Sequence, residues 1–402
     1  GVPCTIKENF CVTGMPQASG LVSRRAHISD HDAPTVARIR KAGAIPLGVT
    51  NTPELCMWME TDNRLYGRSN NPYDHKRIVG GSSGGEGAII GAGGSPFGLG
   101  ADVGGSIRMP AFFNGIFGHK PSPGVVPNTD QVPLPVGKTG LYCTTGPLAR
   151  RAEDLYPLLK LLAGPDGQDP MCTEKPHLKD PSKVDLSAIR VINVPDNGRI
   201  SVSGDLRDAQ DRAAQFLAAQ TQVSNRRYRR MKKSFEIWAA RMGDAGAPSF
   251  ASQLGEGREI PVLRELSKWT IRRSPHTLPA LALAGVEKLP MPKRYLKMGD
   301  ELREQLLDDL ADDGVMLFPS YSCPAPRHYV PMLKTFHWVY CGIINAMAFP
   351  STQVPLGLNA QGLPLGVQVV TAPGNDHLSL AVAQMLEQQF GGWVPPWHSR
   401  AE

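Results

Sequence analysis

The 402-residue chain has little that would commit it to a membrane span, a metal or a nucleic acid. No window reaches the roughly 18 consecutive apolar residues that a membrane-spanning helix needs. The uncharged stretch from Ala88 to Ala101 is short and broken by glycine. The seven cysteines (Cys4, Cys11, Cys56, Cys143, Cys172, Cys323, Cys341) are odd in number and scattered, without a CxxC pair. Neither a disulfide framework nor a zinc site is indicated, and a reduced compartment is expected. An excess of one charge sign is missing too: 43 basic residues interspersed with 37 acidic ones leave only +6, which does not argue for nucleic acid. No repeat or collagen-like period underlies the 42 glycines and 36 prolines, so they are read as loop material.

What is present suits a large α/β domain. With 41% hydrophobic residues the chain can bury a sizeable core. Asp32-Ala33-Pro34 reads as a helix start, with Asp32 as cap and Pro34 in the first turn, and Ile45–Thr50 as the strand after it. Further helices are expected near 86–91 and over 152–162, 206–219, 228–242, 295–310 and 376–390, the last capped by Asp376. Strands are expected over 97–103, 189–194, 315–318, 354–358 and 365–371. Residues 241–292, rich in Gly, Pro and Arg, read as an insertion on the core fold or a membrane-facing cap. The opening at Gly1, directly inside a motif-like segment, leads us to expect that an N-terminal piece is missing.

Two serine-bearing glycine clusters carry the chemistry: Gly80-Gly81-Ser82-Ser83-Gly84-Gly85-Glu86 and Asp102-Val103-Gly104-Gly105-Ser106-Ile107-Arg108. Paired glycines permit positive φ and close approach of a substrate to backbone N–H groups, as an oxyanion hole requires. Dinucleotide fingerprints fail here, because Pro96 and Val103 stand where glycine is needed, and no Gly-Lys-Ser or Gly-Lys-Thr completes a phosphate loop in this region. Gly81-Ser82-Ser83-Gly84-Gly85 does satisfy the G-x-S-x-G elbow, with Ser83 at its centre and His377 as the tempting partner. The elbow needs a buried strand before it, and Tyr73 to Val79 offers only Ile78 and Val79 as successive β-formers.

The segment Gly1-Val2-Pro3 through Ile6-Lys7-Glu8, the two glycine clusters, and Met109-Pro110-Ala111 after the second together resemble the amidase signature family in order and spacing. Glu86, and the runs Glu54-Leu55-Cys56-Met57-Trp58, Tyr66-Gly67-Arg68-Ser69-Asn70-Asn71-Pro72 and Phe112-Phe113-Asn114-Gly115, are similar to the fatty-acid amide hydrolases within it. The resemblance spans nearly the whole chain and implies a single domain over 1–402, a central twisted mixed β-sheet flanked by helices. It implies Ser106 as nucleophile, Ser82 as bridging serine on a cis peptide bond, and Lys7 as base. The oxyanion hole is then expected from the N–H groups of Val103, Gly104, Gly105 and Ser106, supported by Ser83, Asp102 and Arg108. A lysine amine accepts a proton only when neutral, a form that burial and hydroxyl partners favour.

Further expectations follow from the resemblance. The substrate is a lipid amide, no cofactor or metal is needed, and Cys56, Met57, Trp58, Phe112 and Phe113 are candidates for lining an acyl channel. Association with an intracellular membrane or lipid droplet is expected, through a segment such as 262–273, where Leu263, Leu266, Trp269 and Ile271 mix with Arg264, Lys268, Arg272 and Arg273. A homodimer is compatible with the sequence.

Overall fold

The computed structural model describes residues 1–287 and 291–398. Among the described residues, twelve strands run in chain order: β1 Pro3–Lys7, β2 Ile45–Thr50, β3 Asp62–Asn63, β4 Gly67–Arg68, β5 Phe97–Asp102 and β6 Phe117–Lys120, then β7 Thr144–Ala149, β8 Arg190–Asn193, β9 Gln222–Asn225, β10 Gly314–Phe318, β11 Ser351–Leu358 and β12 Pro364–Thr371. Ten of them form one sheet in the order β2-β1-β5-β7-β6-β11-β12-β10-β8-β9, while β3 and β4 make a separate small ribbon. The sheet is mixed. β1 runs parallel to β2 and β5, and β8 parallel to β9 and β10, while β7, β6, β11 and β12 join the two halves through antiparallel pairs.

Helices on both faces explain why the central strands are near-continuous apolar runs rather than alternating ones. β10 (GVMLF) and β12 (PLGVQVVT) are buried at every position. At the edge, β2 alternates, exposes Ile45 and Leu47, and carries Pro46, which an edge strand tolerates. The main core gathers Ile6 and Leu99 from one half of the sheet with Leu317, Phe318, Val367 and Val369 from the other, closed by Leu302, Leu306 and Leu386 from flanking helices.

Two expected caps are corrected. The helix Pro34–Lys41 begins after Ala33 without a side-chain cap, because Asp32 accepts instead from the Thr13 N–H and pairs with Arg40. Asp376 opens the last helix, Asp376–Phe390, but its carboxylate reaches across to His119 and Ser122. In both cases a tertiary partner outcompetes the local turn. The stretch expected as one helix over 228–242 is a tight turn, Arg229–Lys233, followed by the helix Ser234–Asp244.

Within 241–292 the structure forms three short helices, Phe250–Leu254, Val262–Thr270 and Leu278–Val286. Positions 288–290 of that range lie outside the described residues. The helices bury Phe250, Ala251, Leu254, Ala280 and Ala284 against Leu21 and Leu55, in a small cluster of their own. Among the described residues, no helix is long and apolar enough to cross a membrane.

Candidate active site

Lys7 ends β1, and Ser82 stands in the turn before the helix Gly84–Gly91; both are 1% exposed. The Lys7 Nζ donates to Ser82 Oγ at 2.8 Å and lies 3.4 Å from the carbonyl oxygen of Ala101 on the adjacent β5. The Gly81–Ser82 peptide is cis. Ser83 N–H donates to the Ser106 carbonyl at 3.2 Å, so the two glycine clusters touch through their backbones. Three segments distant in sequence thus meet at the ends of β1 and β5, with Ser106 buried at the mouth of the second loop.

Glycine is required where these loops approach other backbone. A Cβ on Gly81 would stand 2.3 Å from the Trp58 carbonyl oxygen, and Gly105, at φ +115°, would place one 2.5 Å from the Cys341 Cβ. Neither position accepts a side chain without moving main chain or a core residue.

The 103–106 loop is held from below by Asp102. Its Oδ1 accepts from the Gly105 N–H at 2.7 Å and its Oδ2 from the Ile107 N–H at 3.0 Å. The fully buried Arg108 completes the support, with Nε 3.0 Å from Asp102 Oδ2 and Nη2 3.0 Å from Oδ1. The same guanidinium donates to Gln368 Oε1 at 2.7 Å and to the Cys341 carbonyl at 3.1 Å. Asn345 Nδ2 adds a bond to Asp102 Oδ1 at 2.9 Å. Burial opposes the charge on Asp102, but Arg108 overrides it and holds the carboxyl well below the usual carboxylate range. The Gly105 N–H is thereby committed to Asp102, so of the four N–H groups expected to face an oxyanion it is the one with a partner inside the loop.

Glu86 is buried beneath Lys7. Its carboxylate takes the hydroxyls of Thr5 on β1 and Thr50 on β2, each at 2.7 Å, in space left by the missing side chain of Gly98. Burial pushes this carboxyl up to about 7, against the opposing pull of the two hydroxyls and of Lys7. The arrangement ties together the two strands that flank the lysine.

The other expected residues divide. Ser83 Oγ is 3.4 Å from the Ala101 carbonyl oxygen, inside the hydroxyl-lined region around Lys7. No strand leads into Ser83, and His377 has no hydrogen bond to it; instead His377 lines a separate cavity with Tyr156, His177 and Asp313. The elbow reading therefore fails. Phe112 and Phe113 pack into the main core, where Phe113 meets Tyr321 edge-on at 5.1 Å. Cys56, Met57 and Trp58 are half-buried: Met57 packs on the cluster of the 250–284 helices, and Trp58 on the main core.

Sequence reasoning missed a tryptophan pair. Trp238 Nε1 donates to the Val103 carbonyl at 3.0 Å, and its ring meets Trp338 edge-on with centroids 4.6 Å apart. Trp338 lies against Gly104, where a Cβ would come within 3.2 Å. Both residues are more than 130 positions from the loop they cover, and no local pattern links them to it.

Comparison with known proteins places the chain in a family. The family model described as Amidase matches residues 1–380. The chain is 48% identical to fatty-acid amide hydrolase 2 of Homo sapiens, over 98% of this chain and 76% of that protein. It is 46% identical to fatty-acid amide hydrolase 2-A of Danio rerio, with the same coverage. A solved 6-aminohexanoate cyclic dimer hydrolase superposes with a TM-score of 0.79 at 26% identity, over 97% of this chain and 85% of that one. A solved fatty acid amide hydrolase superposes at 0.76 and 21% identity, over 98% and 74% of the two chains, and at that identity it speaks for the fold alone. On the family model and the curated relatives together, the chain belongs to the amidase signature family and is an amide hydrolase.

Proposed function

We propose that this enzyme hydrolyses fatty acid amides, both primary amides and N-acylethanolamines, to free fatty acid and amine through an acyl-enzyme, with Ser106 as nucleophile, Ser82 as proton bridge and Lys7 as base. The observation that carries the reading is the buried 2.8 Å hydrogen bond from Lys7 to Ser82, beside the loop that bears Ser106. As Ser106 Oγ bonds to the amide carbon, its proton passes through Ser82 to Lys7. The oxyanion takes the N–H groups of Val103, Gly104 and Ser106. When the C–N bond breaks, the proton returns from Lys7 through Ser82 to the leaving nitrogen. Water then attacks the ester, giving the acid and restoring Ser106. The fatty-amide substrate rests on the 48% identity to a protein named fatty-acid amide hydrolase 2, with Cys56, Met57 and Trp58 as candidate acyl-chain contacts.

Residues 241–292 are read as a cap that meets a lipid surface. The helix Val262–Thr270 leaves Leu263 84% exposed, and Ile271, 62% exposed, follows it, with Arg264, Arg272 and Arg273 alongside. Exposed apolar side chains flanked by arginines suit the boundary between acyl chains and headgroups.

Oleamide should be hydrolysed in preference to acetamide and glutamine; faster turnover of the short substrates would assign the enzyme to small amides instead. A fluorophosphonate probe followed by peptide mapping should label Ser106. A label on Ser83 would reverse the nucleophile assignment, and no label would point to an inactive lipid-binding protein of this fold. Lys7→Ala should remove most turnover while leaving the fold intact, and full activity in that variant would refute the triad.

A further inference from the structure

Cys11, His31 and Asp130 come from three separate loops and bring a thiol sulfur, a ring nitrogen and a carboxylate oxygen within 4.8 Å of one another. The main chain builds this meeting. The Cys11 N–H donates to the Asp130 carbonyl at 3.1 Å, the Cys11 carbonyl accepts from the Ala33 N–H at 2.9 Å, and the Gly14 N–H bonds to the Ser29 carbonyl at 2.8 Å. Asp130 is held at φ +61°, and Gln17 Nε2 bonds its carbonyl at 3.2 Å. Cys11 is buried as a residue, while the His31 side chain is about half exposed, so the cluster has a protein floor and an open side.

The geometry points to a zinc-binding site formed by Cys11 Sγ, His31 Nε2 and Asp130 Oδ2, with water in the fourth position. Zinc takes thiolate, imidazole and carboxylate together, and its tetrahedral ligand atoms stand about 3.3 to 3.7 Å apart. His31 Nε2 and Asp130 Oδ2 are already at 3.3 Å. The sulfur needs only a small closing movement. The other ring nitrogen of His31 is bound to Asp30 Oδ1 at 2.7 Å, which turns Nε2 inward, as the outer carboxylate of a carboxylate–histidine–zinc unit does. On binding, zinc replaces the thiol proton of Cys11, which leaves to solvent, and the ion clamps the loop after β1, the loop before the helix Pro34–Lys41 and the turn at Asp130.

The test uses the full chain and Co2+ as a spectroscopic stand-in, followed by Zn2+ competition. One equivalent of Co2+ should give a thiolate-to-cobalt charge-transfer band in the near ultraviolet, abolished by Zn2+, and Zn2+ should raise Tm. Cys11→Ser should lose the band and the Tm shift, and the exposed His31→Ala should weaken binding at least tenfold. Asp30→Asn should keep the band but weaken affinity roughly 10- to 100-fold. Cys323→Ser should leave all readouts unchanged. The proposal is overturned if the wild-type chain gives no band, if Cys11→Ser retains it, or if His31→Ala binds as tightly as the parent.

Discussion

Asp102 works on the 103–106 loop by position rather than chemistry. It spends both carboxylate oxygens on loop N–H groups and on Arg108, and every partner is buried. Removing one charge strands the other in the core. Asp102→Asn should therefore destabilise the fold by roughly 3–5 kcal/mol, measured by denaturant unfolding; a change below about 1 kcal/mol would show that Arg108 finds other acceptors. Glu86 has a different signature. Its carboxyl, raised from 4.5 to about 7 by burial, holds a proton in the folded protein that the unfolded chain has already released. Its contribution to stability is thus present below pH 4.5 and lost as pH rises through about 7. Glu8, raised to about 7 by the same cause, acts in the same window. In Glu86→Gln, the fall in unfolding free energy between pH 5 and 7 should shrink by on the order of 2 kcal/mol. An unchanged slope would mean that Glu86 ionises normally beside Lys7.

At the scale of elements, the geometry of the proposed triad is a matter of which strand ends sit side by side. β1 delivers Lys7 and lies between β2 and β5, so Thr50 is its register partner on one side and the Ala101 carbonyl lies 3.4 Å from its Nζ on the other. The helix Ser234–Asp244 contributes Trp238, whose hydrogen bond fixes the Val103 carbonyl and so the direction of the following N–H of Gly104. Trp238→Phe keeps the ring and deletes that bond. One neutral hydrogen bond is worth about 1 kcal/mol. kcat should therefore fall about 3- to 10-fold with KM nearly unchanged, and a KM effect alone would make Trp238 a substrate contact. The elements themselves were legible where periodicity was strong: Ile45–Thr50 matches residue for residue, and 295–310 and 365–371 match within one position. β1 was not, since five residues with an exposed proline at the start look like loop until β2 and β5 flank them.

For the whole molecule, the three helices within 241–292 carry their own small apolar cluster and turn Leu263 and Ile271 outward. The double variant Leu263→Ser, Ile271→Ser should reduce partition into phosphatidylcholine vesicles containing anionic lipid by about tenfold in a sedimentation assay. Hydrolysis of a water-soluble short-chain amide should not change; undiminished binding would place the lipid contact elsewhere.

The amino-acid sequence by itself determined the fold family and the two glycine loops, and its resemblance to the amidase signature blocks singled out Lys7, Ser82 and Ser106 as the residues to watch, because loops that admit no side chain leave a local, ordered trace in the chain. It did not determine what surrounds them. Phe112 and Phe113 read equally well as channel or core, and only the folded chain shows both buried in the main core, with Phe113 edge-on to Tyr321. The bond from the Gly105 N–H to Asp102 is likewise invisible before folding. Trp238, Asn345 and Gln368 reach the site, and Cys11, His31 and Asp130 meet, only after distant segments are folded together. Hydrogen bonds and metal-ligand distances act over a few ångströms in space and are indifferent to separation along the chain, so only the tertiary structure could reveal them.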